Sequence, residues 1–108
     1  MAPRCHGNRL RIGRFSEANR IYHVTTVTIH RRRVFADLYP ARSVIQILRG
    51  EDRNGVVSSL AYVLMPDHLH WLFQLGVQDR LSTVIGRVKS ITARHFKQRI
   101  WQAGFHDH

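Results

Sequence analysis

Two histidines at a spacing of two residues stand out as groups that could bind a metal ion. His68 and His70 lie in the segment HLHWLFQL, residues 68–75. Alternate side chains of a β-strand project from the same face, so a strand here would point both imidazoles to one side. Two imidazoles so placed can hold one cation, although an exposed sheet face also tolerates histidines that bind nothing. The spacing alone leaves both interpretations open.

The residues between and after these histidines are apolar and would occupy the opposite face of the same strand. Leu69, Trp71 and Phe73 alternate with the histidines, and a face of this kind normally packs against other elements in a core. Trp71 could alternatively offer a platform on which a nucleic-acid base stacks. Because of the alternation, we predict that Trp71 belongs to the core.

The elements that would position this strand follow from periodicity and from turn residues. β-rich segments predict strands at 20–30, 56–64 and 68–75, the last two forming a hairpin across Pro66 and Asp67 and closed by Gly76. Helical spacing predicts helices at 40–49, ended by Gly50, and at 81–98, with Asp79 as N-cap. The order strand, helix, strand, strand, helix indicates the α+β class, an antiparallel sheet with its helices packed on one face.

Composition restricts the class of protein further. The chain has 108 residues, with 17 Lys or Arg against 7 Asp or Glu and a formal charge of +10. We expect a poorly ordered basic arm at 1–19 and one folded domain at 20–108. The single cysteine, Cys5, excludes an intrachain disulfide and a cysteine-based zinc cluster, and a reducing cytoplasm suits it. No segment has the apolar length of a signal peptide or a membrane span, so we expect no membrane insertion.

The excess positive charge predicts a polyanionic partner. Nucleic acid is the first candidate, and an anionic membrane surface is the alternative. Two basic stretches could contact phosphates. The first is the run Arg31, Arg32 and Arg33, and the second is the predicted last helix, which carries Arg87, Lys89, Arg94 and Lys97 without any acidic residue between 80 and 99. Either stretch could instead be an ordinary solvated surface.

Several separate segments together resemble the HUH single-tyrosine transposases. They are YVLMPDHLHWLF at 62–73, YHVT at 22–25, RVKS at 87–90 and WQAGFHDH at 101–108. The resemblance is closest to the REP-associated group, which acts on palindromic single-stranded DNA, and it covers nearly the whole chain from Arg20. It implies a ferredoxin-like or RRM-like HUH domain.

The resemblance also implies a chemistry for the two histidines. His68 and His70 would be the HUH histidines, holding Mg²⁺ or Mn²⁺ against the scissile phosphate of single-stranded or hairpin DNA. Imidazole alone is not selective for such hard ions, so an oxygen ligand would have to complete the site. The family further implies a homodimer. His23 could substitute as a ligand, although it is as readily an ordinary histidine of the sheet. His106 and His108 form a second pair with the same spacing, which could bind metal adventitiously but is more simply interpreted as what remains of a family segment.

The nucleophile is the part of the family pattern that this sequence does not match. In the family, a tyrosine on a helix that follows the WQxGFxDH segment attacks phosphorus, and no such helix follows this segment before His108. The sequence has three tyrosines, Tyr22, Tyr39 and Tyr62, for which packing roles are expected. We therefore expect a C-terminally shortened transposase that keeps DNA affinity and weak metal binding but has severely impaired transesterification. The alternatives are a non-catalytic nucleic-acid-binding module and a metal-dependent nuclease that uses water.

Overall fold

A computed structural model describes residues 16–108, which form a four-stranded antiparallel sheet with two helices. The strands are β1 (Ile21–Val27), β2 (Val57–Met65), β3 (His68–Leu75) and β4 (His106–Asp107), and the helices are α1 (Leu38–Arg53) and α2 (Leu81–Phe96). The sheet order is β2-β3-β1-β4. The α+β class predicted from the sequence is confirmed. Most of the predicted basic arm, residues 1–15, lies outside the described residues.

The central strand β3 alternates as its sequence predicts. Leu69, Trp71, Phe73 and Leu75 are buried, whereas the residues between them are only partly covered or exposed. The buried side chains pack against Val44 and Leu48 of α1 and against Leu81, Val84, Ile85 and Val88 of α2. Trp71 is 1% exposed and its indole N–H donates to the Ser59 hydroxyl at 2.9 Å. Trp71 is therefore a core residue, and the other side of the sheet carries no helix among the described residues.

The hairpin of β2 and β3 turns at Pro66 and Asp67, and Met65 pairs directly with His68. A shift of register between Ser59 and Ala61 places Leu60 in a bulge. At the other end of β3, Gly76 donates its N–H to the Val56 carbonyl at 2.9 Å, and a Cβ on Gly76 would lie 2.8 Å from the same oxygen. Glycine is thus required where the hairpin closes.

Helix α1 is longer than its sequence predicts, because Gly50 does not end it. The helix continues to Arg53 and stops where Gly55 adopts a φ of +72°. The extra turn carries Glu51, which binds Arg87, and Asp52, whose carboxylate accepts from the N–H and hydroxyl of Ser59 at 2.6 and 2.7 Å. These tertiary contacts outweigh the modest helix-breaking tendency of one glycine.

The predicted cap of α2 was also wrong. Arg80 holds the N-cap position, the carboxylate of Asp79 binds Arg87 instead, and the hydroxyl of Ser16 accepts the N–H of Leu81 at 2.8 Å. The helix ends at Phe96, and Lys97 follows in the left-handed conformation with φ 57°. Neither described helix is long and apolar enough to cross a membrane.

Candidate metal centre and DNA-binding surface

His68 and His70 share the face of the sheet that bears no helix among residues 16–108, which we call the histidine face. Both are partly covered, and their ring centroids are 4.9 Å apart with the ring planes nearly perpendicular. The strand β2 flanks them with Met65 and Val63, which pair with His68 and His70 and remain 41% and 53% exposed. The two imidazoles therefore stand side by side next to a partly apolar and accessible strip.

The δ nitrogen of each imidazole is held by a neighbouring group. Nδ1 of His68 lies 2.7 Å from Oδ1 of Asp67, and Nδ1 of His70 lies 3.0 Å from Oγ1 of Thr25. Among residues 16–108, no hydrogen bond involves the Nε2 atom of either histidine. Metal-binding histidines commonly donate one ring N–H to a carboxylate or another acceptor and use the opposite nitrogen as ligand. His68 and His70 match this pattern, because the δ nitrogen of each faces an acceptor and the ε nitrogen is left for a ligand role.

Two further histidines adjoin His70. Nε2 of His23 lies 3.2 Å from Nδ1 of His70, and the rings of His23 and His108 have centroids 4.5 Å apart. Burial is the main cause that lowers the pKa of His70, and the adjacent His68, His23 and His108 lower it further. Burial likewise lowers the pKa of His108, helped by His23 and His106. A lowered pKa keeps an imidazole neutral, which is the form that binds metal.

Little in the sequence indicates that Thr25 and His108 would adjoin His70. Strand β4 brings them together, since it pairs with β1 and the following residue, His108, donates its backbone N–H to the His23 carbonyl at 2.9 Å. A strand of two residues has no detectable hydrophobic period. The sequence does contain one indication of this arrangement. His23 and Thr25 are two residues apart, and so are His106 and His108, so each pair would lie on one face of its strand.

Within residues 16–108, no group of three or more histidine, cysteine, aspartate or glutamate side chains is arranged to hold a metal ion. Two imidazoles can therefore supply only part of a coordination shell. Hard ions such as Mg²⁺ commonly keep several waters and take phosphate oxygens as ligands. The two imidazoles would therefore fit a divalent ion only if oxygen ligands from outside these side chains completed its coordination shell.

Asp67 joins the histidine pair to the first basic stretch. Its second carboxylate oxygen, Oδ2, accepts from Nε of Arg31 at 3.0 Å, while Oδ1 faces His68. The hydrogen bond with His68 is the main cause that lowers the pKa of Asp67, and Arg31 adds to it. A guanidinium and an imidazole thus share one carboxylate at the turn between β2 and β3.

The two predicted basic stretches meet at this same end of the sheet. Arg32 reaches toward Oε1 of Gln98 at 3.5 Å, and the Ile29 N–H donates to the Ile100 carbonyl at 2.8 Å. Lys97 directly precedes Gln98, and Arg94 lies three residues earlier on α2. Both are exposed, as are Arg31, Arg32 and Arg33. We call these five residues the basic end: Arg31, Arg32, Arg33, Arg94 and Lys97.

Arg87 and Lys89, which the sequence places in the same set, are engaged by protein acceptors. Arg87 donates to both oxygens of buried Glu51 and to Asp79, and these contacts, Glu51 first, raise its pKa. The ammonium of Lys89 donates to the carbonyls of Gln102 and Gly104, and burial lowers its pKa to about 8. Their contacts therefore link α2 to α1 and to the segment before β4.

The three tyrosines all lie away from the histidine face. Tyr22 is buried at 2% exposure and accepts the Glu17 N–H at 2.8 Å, and Tyr62 packs against the core. Tyr39 is exposed in the first turn of α1, where its hydroxyl lies 3.0 Å from Nε2 of His95. None of the three tyrosine hydroxyls is therefore beside His68 and His70.

Comparison with known proteins identifies the family. The family model described as "Transposase IS200 like" matches residues 16–105. The fold is similar to that of a REP-associated tyrosine transposase bound to a REP hairpin, with TM-score 0.67 and 20% identity, over 88% of this chain and 58% of that chain. It is also similar to a candidate transposase from Deinococcus radiodurans R1, with TM-score 0.70 and 25% identity, over 92% of this chain and 85% of that one.

No protein of curated function matched the sequence. The chain spans less than two thirds of the hairpin-bound transposase to which its fold is similar. The family match, in contrast, extends over most of the 108 residues. This chain belongs to the IS200-like transposase family.

Proposed function

We propose that this domain binds single-stranded or hairpin DNA and holds a divalent ion, Mg²⁺ or Mn²⁺, between His68, His70 and a DNA phosphate. The observation that carries the proposal is the pair of imidazoles on an accessible sheet face, each held through its δ nitrogen and without a hydrogen bond at Nε2 among residues 16–108. The REP hairpin bound by the transposase of similar fold supports DNA as the partner. A divalent ion would supply Lewis-acid polarisation of the phosphate oxygens.

The basic end is where we propose that the DNA backbone docks. It adjoins the histidine pair through Asp67, which contacts Arg31 on one oxygen and His68 on the other. A phosphate that interacts with Arg31 would therefore lie close to the proposed ion. The other cations of the basic end extend this contact to neighbouring phosphates, and such contacts fix the register of the strand without reading its sequence.

The double substitution Arg94→Gln with Lys97→Gln is expected to weaken binding of a DNA hairpin with a single-stranded flank. Each phosphate of a single strand that the protein no longer neutralises reduces the steepness of log affinity against log salt by about 0.7. Fluorescence anisotropy of a labelled hairpin, measured over a range of salt concentrations, gives this slope directly. The weakening should be similar for hairpins of different sequence.

A matched control is Arg49→Gln with Arg53→Gln, which removes the same charge from the C-terminal end of α1. Both arginines are exposed, and Glu51, which lies between them in sequence, contacts Arg87 of α2. Arg87 precedes Lys97 by ten residues, which corresponds to about 15 Å along the helix axis, so the control substitutions lie far from the basic end. The control should leave the slope near that of the wild type. Equal changes in both double variants would show that only net charge matters and that the basic end is no binding surface.

The tyrosine positions favour a DNA-binding module over a complete strand-transfer enzyme for these 108 residues. Tyr22 and Tyr62 face the core, and Tyr39 lies on α1. Incubation with a REP-like hairpin and Mn²⁺ is therefore expected to give no covalent protein–DNA adduct on a denaturing gel. An adduct that one of Tyr22→Phe, Tyr39→Phe or Tyr62→Phe removes would contradict this expectation. Chelator-sensitive cleavage without an adduct would instead indicate a nuclease that uses water.

The homodimer implied by the resemblance belongs to the same proposal, and so does a cytoplasmic location. Among the described residues, β2 is an edge strand of the sheet, and a strand from a second copy could pair with it. Light scattering with and without hairpin DNA measures the number of subunits in the complex.

A further inference from the structure

The hydroxyl of Thr25 lies between two imidazoles of the histidine face. Its Oγ1 is 3.0 Å from Nδ1 of His70 and 2.7 Å from Nε2 of His108. Thr25 is 9% exposed and stands directly opposite His70 in the register of β1 and β3. The hydroxyl is therefore an enclosed group with two nitrogen neighbours, of which one belongs to a histidine that we propose as a metal ligand.

A hydroxyl has one proton, so it can donate to only one of these nitrogens and must accept from the other. If Nε2 of His70 binds a metal ion, that nitrogen carries no proton and the ring proton is on Nδ1. The Nδ1–H group then donates to Thr25, and the Thr25 hydroxyl donates to Nε2 of His108. The reverse direction would place the ring proton of neutral His70 on Nε2 and block the metal-binding lone pair.

We propose that Thr25 is a positioning residue that holds His70 in the tautomer with a free Nε2, and that His108 fixes the direction of this hydrogen bond as the acceptor. The inference rests on the proposed function, because it takes His70 as a ligand. Strand β4 makes the arrangement possible, since the backbone N–H of His108 donates to the His23 carbonyl at 2.9 Å and so places the ring over Thr25. Nε2 of His23, 3.2 Å from Nδ1 of His70, competes with the Thr25 hydroxyl as acceptor of the Nδ1 proton of His70.

The test compares Thr25→Val, which keeps the β-branched shape but removes the hydroxyl, with Thr25→Ser, which keeps the hydroxyl. Nitrogen NMR of the metal-free protein reports which ring nitrogen of His70 carries the proton. We expect the Nδ1–H tautomer in the wild type and in Thr25→Ser, and a mixture of tautomers in Thr25→Val. Mn²⁺ affinity should fall about 10- to 100-fold in Thr25→Val, the usual effect of removing the group that hydrogen-bonds to a metal-bound histidine, and recover in Thr25→Ser.

The acceptor role of His108 is tested in the same way. His108→Gln offers an amide oxygen in place of Nε2 and should keep the wild-type tautomer of His70, whereas His108→Leu should not keep it. The backbone NMR spectrum of each variant shows whether the sheet is intact. If an intact Thr25→Val protein retains both the tautomer and the Mn²⁺ affinity, the inference is wrong and His23 is the acceptor.

The variant His70→Ala separates failure of this inference from failure of the proposed function. If His70→Ala binds Mn²⁺ as well as the wild type, the proposed metal site is wrong, whatever the tautomer shows. If His70→Ala no longer binds the ion while Thr25→Val still does, the metal site stands and the role given to Thr25 is overturned.

Discussion

Replacing His70 with alanine is expected to abolish detectable Mn²⁺ binding to the complex with hairpin DNA. His68 and His70 are the two protein ligands that we propose, and the described residues provide no third such side chain in place. Removing one ligand should cost more than the 10- to 100-fold that removal of a ligand's hydrogen-bonding partner typically causes. The enhancement of water proton relaxation by bound Mn²⁺ measures the affinity.

The control for this experiment is His30→Asn. His30 is exposed and has a φ of 55°, a conformation that asparagine tolerates better than most residues. The substitution removes one imidazole from the same domain without touching the histidine face. Mn²⁺ affinity should remain at the wild-type value, and an equal decrease in both variants would mean that the ion binds non-specifically to exposed histidines.

Replacing Arg87 with methionine is expected to destabilise the fold by about 3 kcal/mol. Glu51 is 3% exposed, and Arg87 contacts its carboxylate at 2.7 and 3.1 Å. Removing one partner of a buried ion pair typically costs about 3–5 kcal/mol, because the other charge remains buried without compensation. We expect the lower end, since the Arg87 side chain is one-third exposed. Urea denaturation measures the change in the free energy of unfolding.

The double variant Glu51→Met with Arg87→Met distinguishes a purely structural role of Arg87, as partner of Glu51, from a role as a DNA contact. With both charges absent, the free energy of unfolding should return close to that of the wild type. Hairpin affinity of the folded double variant should also be unchanged if Arg87 serves only to join α1 and α2. Strongly reduced affinity with normal stability would instead make Arg87 a DNA contact.

The part of the site that lies on one strand could be predicted from the sequence, because the period of a β-strand fixes which side chains share a face. The shared face of His68 and His70, and the core position of Trp71, both follow from that period. The boundary of α1 could not be predicted, because Gly50 ends a helix only if no tertiary contact favours the next turn. Here Glu51 and Asp52 provide such contacts.

The groups around His70 depend on pairing between segments that are distant in sequence. Thr25 and His108 are 83 positions apart, and the strand that brings them together has only two residues. The contacts of the basic side chains also depend on segments that are distant in sequence. Spacing on α2 predicts the exposed positions Arg94 and Lys97, but the partners of Arg87 and Lys89 come from α1 and from the segment before β4.

Paramagnetic broadening of histidine side-chain NMR signals by substoichiometric Mn²⁺, in the complex with hairpin DNA, tests the proposed centre most directly. If His68 and His70 hold the ion, their imidazole signals broaden first, while those of His30 and His95, which lie outside the histidine face, stay sharp. Uniform broadening of all histidines, or first broadening at His30 or His95, would contradict a metal centre at His68 and His70.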